Sequence, residues 1–216
     1  MKEISIKICG ITEQKDISAA ANLGIDFLGF VLVKGSSRYV SIDKMKKLLK
    51  ETPSPIGTVA LLVNPKNDIL EEIVNEVNID FLQLHGQESP DRVFEISRKS
   101  KIPIIKAFGI SKKNDLKKIR SYESVVDYLL LDAKAESRQS LPGGNGVAFD
   151  WELLRGFNTK KPWFLAGGLN PDNVSRAISI TGANMVDVSS GVEKDPGNKS
   201  LEKIYNFVRR VNEHNK

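Results

Sequence analysis

Apolar and polar residues alternate over residues 4–9, Ile-Ser-Ile-Lys-Ile-Cys, with the period of a half-buried strand. Ile4, Ile6 and Ile8 fall on one face; Ser5, Lys7 and Cys9 fall on the other. The run stops at Gly10. Thr12 then stands where an N-cap is needed for a helix that carries Ile17, Ala20 and Ala21 and closes at Gly24. Seven more strand-like runs follow, over residues 26–33, 56–63, 79–84, 102–108, 125–131, 162–166 and 183–188. The second, with Phe27, Leu28, Phe30, Val31 and Leu32, reads as buried on both faces.

Between these runs the period changes to that of helices. Ser41 precedes Met45, Leu48 and Leu49; Pro65 precedes Ile69, Ile73, Val74 and Val77. Ser89-Pro90 supplies an N-cap and an N1 proline ahead of Val93 and Ile96, and Asn170-Pro171 repeats the device ahead of Val174, Ala177 and Ile178. Leu116 and Ile119 mark another helix, and Asp150 caps a short one with Leu153 and Leu154. The last helix carries Leu201, Ile204, Phe207, Val208 and Val211.

Strictly alternating strands and helices predict a parallel sheet with right-handed crossovers. Eight short units within 216 residues fit a single-domain α/β fold spanning 1–216, a closed (βα)8 TIM barrel. An open doubly wound sheet is the alternative. The lack of a GxGxxG turn and the short, even units favour closure, which leaves no edge strand exposed.

Composition narrows the function classes. The net charge of +5 comes from 32 basic and 27 acidic residues, and the lysine runs at 44–50 and 112–118 are interleaved with apolar positions as solvated helix faces are. No basic stripe with a recognisable motif points to nucleic acid. One cysteine and two histidines exclude an intrachain disulfide and argue against a zinc site. No apolar run approaches the ~18 residues of a membrane span, and the chain starts a strand almost at once without a leader, so the expected location is cytoplasmic.

In a barrel the strand ends converge on one rim. Here they read Cys9, Asn64, His85, Lys106, Asp132, Gly167-Gly168 and Ser189-Ser190. The loops after the seventh and eighth strands offer N–H groups and hydroxyls where barrels of this type hold phosphate. A further glycine-rich loop carries Gly143, Gly144 and Gly146. Asp132 ends an apolar strand, where it can be protonated and serve as a general acid or instead accept hydrogen bonds from nearby N–H groups. Lys7 lies two residues from Cys9 on one face, about 7 Å along the strand, where its ammonium would favour thiolate. Asp187, on the strand that closes onto the first, is placed to pair with Lys7 inside the barrel and soften that effect.

Lys7 to Thr12, Gly29-Phe30-Val31, Ser37-Arg38-Tyr39-Val40, Gln83-Leu84-His85-Gly86, Leu131-Asp132, the block from Gly143-Gly144 to Phe149-Asp150-Trp151, residues 165–171 and residues 186–193 together resemble phosphoribosylanthranilate isomerase. The resemblance runs in order over residues 4–200. It implies a barrel that converts N-(5-phosphoribosyl)anthranilate to 1-(2-carboxyphenylamino)-1-deoxyribulose 5-phosphate by an Amadori rearrangement in tryptophan biosynthesis, with no cofactor and no metal. It aligns the general base with Cys9, the general acid with Asp132 and the anthranilate-binding arginine with Arg38. The substrate-binding set is completed by Gly143, Gly144, Gly146, Gly167, Gly168, Asp187, Ser189 and Ser190. His85 faces the rim but is assigned no catalytic step. Asn145 and Ser200 depart from the residues common in the family, and neither touches the acid or the base. The partner expected is a small phosphoribosyl molecule, with no nucleic acid and no membrane; monomer and homodimer both stay open. The competing readings are another phosphosugar isomerase or epimerase, which usually relies on carboxylates or metal ligands, and a non-catalytic barrel that binds a phosphorylated metabolite.

Overall fold

The computed structural model describes residues 4–134 and 149–214. Eight parallel strands close into a barrel: β1 (Ser5–Cys9), β2 (Phe27–Val31), β3 (Gly57–Leu62), β4 (Phe81–Leu84), β5 (Ile104–Ile110), β6 (Tyr128–Ala133), β7 (Trp163–Leu165) and β8 (Met185–Val188). The ring closes where β1 pairs with β8, with Lys7 in register with Asp187. Helices α1 (Gln14–Asn22), α2 (Ile42–Lys50), α3 (Asn67–Glu76), α4 (Pro90–Ser100), α5 (Val174–Thr181) and α6 (Leu201–His214) connect or follow the strands.

The alternation read in residues 4–9 sorts side chains as expected. Ile4, Ile6 and Ile8 join the large apolar layer between strands and helices. Lys7 and Cys9 face the barrel interior. A separate interior cluster of Val59, Ile105, Ala107, Leu130, Phe164, Ala166 and Met185 fills the barrel beneath them. Four rings seal this plug: Phe27, Phe81, Tyr128 and Phe164 stand 5.4–6.1 Å apart around it. Edge-to-face pairs of this kind add to the burial that holds the barrel together.

The predicted strands begin one to three residues before the observed ones, because residues such as Ile79, Val126 and Ala183 are buried without joining the sheet, while β5 and β6 run two residues further than predicted. Ser41, Ser89 and Asp150 cap as predicted, accepting from the N–H groups of Lys44, Arg92 and Glu152. Thr12 does not cap α1. Glu13 precedes that helix, and the Thr12 hydroxyl donates instead to the carbonyl of Gly197, 3.1 Å away. Asn170 caps only a turn, accepting from Asp172 and Asn173, so α5 begins three residues later than its proline suggests. The segment with Leu116 and Ile119 is a 3₁₀ helix, Lys113–Ser121. Its two apolar residues lie three apart, a spacing that a threefold helix places on one side.

One element was not foreseen. After a 3₁₀ turn, Ser190–Val192, strands β9 (Glu193–Asp195) and β10 (Asn198–Lys199) form a small hairpin at the C-terminal rim.

Candidate active site

A cavity of about 500 Å³ opens at the C-terminal ends of the strands. Its wall includes Cys9 from β1, Gln83 and His85 from the end of β4, Asp132 from β6, Asp187 from β8, and Arg38, Ser189, Ser190 and Glu193 from the rim loops. Cys9, Asp132, Arg38, Asp187, Ser189 and Ser190 are therefore brought together. Gly167 and Gly168 lie beside it on the loop after β7 but are not among the residues that wall it. Gly143, Gly144 and Gly146 lie outside the described residues. Two other polar strand ends turn away from the cavity. Lys106 binds Glu88 at 3.0 Å and the carbonyls of Leu84, Gly86 and Ala107. Asn64 accepts from the N–H of Gln87.

Cys9 and Lys7 share one crowded corner. A Cβ on Gly29, the β2 residue in register with Cys9, would sit 2.9 Å from Cys9 Sγ and 3.2 Å from Lys7 Nζ. Only glycine leaves room for both. Lys7 is fully buried, and its Nζ donates to Asp187 Oδ1 at 2.9 Å, the pair expected from the strand order. Burial pulls the Lys7 ammonium down, but the Asp187 carboxylate and Cys9 outweigh it and leave its pKa above the ordinary lysine value. Burial pushes the Cys9 thiol up; Lys7 pulls against that, Asp187 adds to it, and the net shift is upward. The Lys7 ammonium does favour thiolate and Asp187 does soften that effect, as expected, but desolvation of the anion in so dry a corner outweighs both.

Asp132 is held from two sides. Its Oδ1 accepts from the N–H of Ala133 at 2.7 Å, and its Oδ2 lies 3.2 Å from His85 Nε2. Gln83 Nε2 lies 3.0 Å from the other imidazole nitrogen, Nδ1.

Arg38 reaches the cavity from the loop after β2. Its Nε and Nη2 donate to the two carboxylate oxygens of Glu193 at 2.8 and 2.7 Å. Glu193 also accepts from the fully buried Lys199 at 2.8 Å. Burial would raise the Glu193 pKa, but these two cations hold it below the ordinary carboxylate value. Lys199 in turn donates to the carbonyl of Ser189, whose hydroxyl donates to the carbonyl of Cys9 at 3.0 Å. Glu193 and Lys199 are not in the expected site set, although Glu193 ends the block 186–193 that carries the resemblance.

On the same rim, after β7, Gly167 and Gly168 have φ of 83° and 66°, the left-handed region that suits glycine. Asn173 fixes this turn by donating to the Gly168 carbonyl. The loops after β7 and β8 touch so closely that a Cβ on Gly191 would sit 1.9 Å from the Leu169 carbonyl oxygen. Among the described residues no group of three or more His, Cys, Asp or Glu side chains could hold a metal ion.

A closed barrel with a thiol and a carboxyl group facing one cavity is the arrangement to compare with known proteins. Residues 6–210 match the family model of N-(5'-phosphoribosyl)anthranilate (PRA) isomerase. The chain belongs to this family. It is 44% identical over 208 residues to the N-(5'-phosphoribosyl)anthranilate isomerase of Paracoccus denitrificans, covering 96% of this chain and 97% of that one. It is 42% identical over 206 residues to the Paramagnetospirillum magneticum protein of the same name, covering 95% and 96%. Among solved structures, phosphoribosyl anthranilate isomerase from Thermotoga maritima superposes with a TM-score of 0.85 at 33% identity, covering 97% of this chain and 99% of that one. A phosphoribosyl anthranilate isomerase in complex with reduced 1-(o-carboxyphenylamino)-1-deoxyribulose 5-phosphate superposes with a TM-score of 0.83 at 32% identity, with the same coverage.

Proposed function

We propose that Cys9 is the general base and Asp132 the general acid of the family's reaction, the isomerisation of N-(5'-phosphoribosyl)anthranilate in tryptophan biosynthesis. The observation that carries this reading is that the two side chains line one cavity from β1 and β6, three strands apart around an eight-stranded ring. A sugar bound between them meets one group on each side.

The chemistry follows from those positions. Asp132 gives its proton to the ribose ring oxygen as the bond from that oxygen to C1 breaks, and the anthranilate nitrogen closes the C1–N double bond of an iminium. The Cys9 thiolate then takes the proton from C2, and the resulting enolamine tautomerises to the aminoketose. The raised pKa of Cys9 keeps most of the thiol protonated near neutrality and makes its thiolate a strong base when formed.

The rest of the site serves the two ends of the substrate. Arg38 is suited to the aryl carboxylate: Glu193 fixes its guanidinium plane through Nε and Nη2, and a guanidinium pairs with a planar carboxylate through two parallel hydrogen bonds. Ser189, Ser190 and the N–H groups of the Gly167-Gly168 turn are suited to the phosphate, the position at which this fold commonly holds one. Asp187 acts through Lys7. The rearrangement opens the ring and moves the oxidation level from C1 to C2 within the substrate, so the protein need supply only proton transfers and positioning. No helix among the described residues is long and apolar enough to cross a membrane; a biosynthetic role supports a cytoplasmic location.

Turnover of phosphoribosylanthranilate by purified protein tests the assignment. Cys9→Ala and Asp132→Ala should each lose ~10²- to 10⁴-fold in kcat, the usual contribution of one acid or base. Arg38→Ala should raise KM. Near-wild-type rates in both Cys9→Ala and Asp132→Ala would remove the mechanism.

A further inference from the structure

The cavity wall contains a buried amide that the acid–base mechanism leaves unused. Gln83 is fully buried on β4, and its Oε1 has no hydrogen-bond partner among the described residues. A buried carbonyl without a partner carries a burial cost that an apolar residue of similar size would avoid. Barrel stability therefore gives no reason for an amide here. Its other end supplies one, because Gln83 Nε2 lies 3.0 Å from His85 Nδ1 and His85 Nε2 lies 3.2 Å from Asp132 Oδ2.

With the nitrogen end of the Gln83 amide turned to the ring, hydrogen-bonding chemistry sets the tautomer. An amide nitrogen only donates, so His85 Nδ1 accepts and is unprotonated. The ring proton is then on Nε2, directed at Asp132. An imidazolium would also donate from Nδ1, toward a nitrogen that cannot accept. Asp132 in its charged form thus receives two hydrogen bonds, from His85 and from the N–H of Ala133.

We infer that Gln83 and His85 are positioning residues for Asp132: Gln83 holds the neutral Nε2–H tautomer of His85, and His85 orients the Asp132 carboxyl and stabilises the carboxylate left when its proton has gone to substrate. The inference rests on Asp132 being the acid. The other titratable or charged groups on the same cavity are Cys9 from β1, Asp187 from β8 with Lys7 paired behind it, the Arg38–Glu193 pair from the rim, and Lys194 and Asp195 of the hairpin. Behind His85, Lys106 and Glu88 form a closed pair on the β4–β5 side.

Nitrogen NMR of the two histidines, His85 and His214, reads the tautomer. Wild-type His85 should carry its proton on Nε2, with Nδ1 bare. Gln83→Leu should mix the two tautomers. A carbon-13 carboxyl titration reads the second link. His85→Asn reaches only as far as the old Nδ1 position, and should move the Asp132 midpoint up by about one pH unit. It should also cut kcat roughly tenfold at little cost in KM. His85→Gln places an amide nitrogen where Nε2 was, and should restore both. A wild-type Nδ1–H tautomer, or an Asp132 midpoint unmoved in His85→Asn, would overturn the inference. Retained activity in Asp132→Asn would instead remove the assignment of the acid, so the two failures are distinguishable. Should Gln83→Leu fail to fold, the two His85 variants carry the test alone.

Discussion

Lys7 and Asp187 meet across the seam where the barrel closes, Nζ 2.9 Å from Oδ1, with both side chains out of solvent. The pair sits beside Cys9, so it both staples β1 to β8 and sets the electrostatics of the thiol. Lys7→Met removes the cation that pulls the Cys9 pKa down and strands Asp187, which pushes it up. The thiol should then deprotonate at higher pH than in the wild type. Breaking a buried pair in this way should also cost about 3–5 kcal/mol of stability. Cys9 is the only cysteine, so alkylation rate against pH reports on it alone. In Lys7→Met/Asp187→Asn the midpoint should fall back from that of the single variant. An alkylation profile identical in all three proteins would show that the pair does not govern the thiol.

Gly29→Ala should damage the site before it damages the fold. The new methyl would stand 2.9 Å from Cys9 Sγ and 3.2 Å from Lys7 Nζ, both of which must shift. A misplaced base costs rate steeply, about 10²-fold for a displacement of an ångström. The expected outcome is a kcat at least tenfold lower with KM less affected and the thermal midpoint still cooperative, measured by steady-state turnover and a melting curve.

Glu193 links stability to acid pH. Its folded pKa lies below the ordinary value because Arg38 and Lys199 outweigh the effect of burial. A carboxylate depressed in this way stabilises the fold above its unfolded pKa, and that contribution is lost as pH falls through the folded value. Wild type should therefore lose more thermal stability than Glu193→Gln on going from about pH 5 to pH 3. Equal losses in the two proteins would mean that the Arg38–Glu193–Lys199 cluster is not coupled to folding.

Phe164 is the fully buried member of the four aromatic rings that seal the barrel plug. Phe164→Ala opens a cavity there and should cost about 3–5 kcal/mol in denaturant unfolding. A loss below 1 kcal/mol would show that the neighbouring rings collapse into the space.

The strand order and the inward parity of β1 were legible because a period of two is visible in six residues, three isoleucines against Ser5, Lys7 and Cys9. The Lys7–Asp187 pair followed from that parity and from closure. The sign of the Cys9 shift did not, because spacing shows which charges are near but not how dry the corner is. The β9–β10 hairpin was illegible for another reason. Glu-Lys-Asp-Pro-Gly-Asn-Lys has no apolar alternation, and the worth of Glu193 comes from Arg38, distant in sequence. The Gln83–His85 pair did leave a signal: two polar residues, two apart, on the inner face of an otherwise apolar strand. Only the coordinates connect that pair to Asp132.

The alternating geometry of β1 leaves the chain little tolerance for length changes. Deleting or inserting one residue between Ser5 and Cys9 would turn the sulfur outward into the greasy layer under the helices and bring an isoleucine to the substrate, while Lys7 would lose its register with Asp187. Evolutionary drift in chain length is thereby confined to the connections between strands, and the five residues of the first strand can change in kind but not in number.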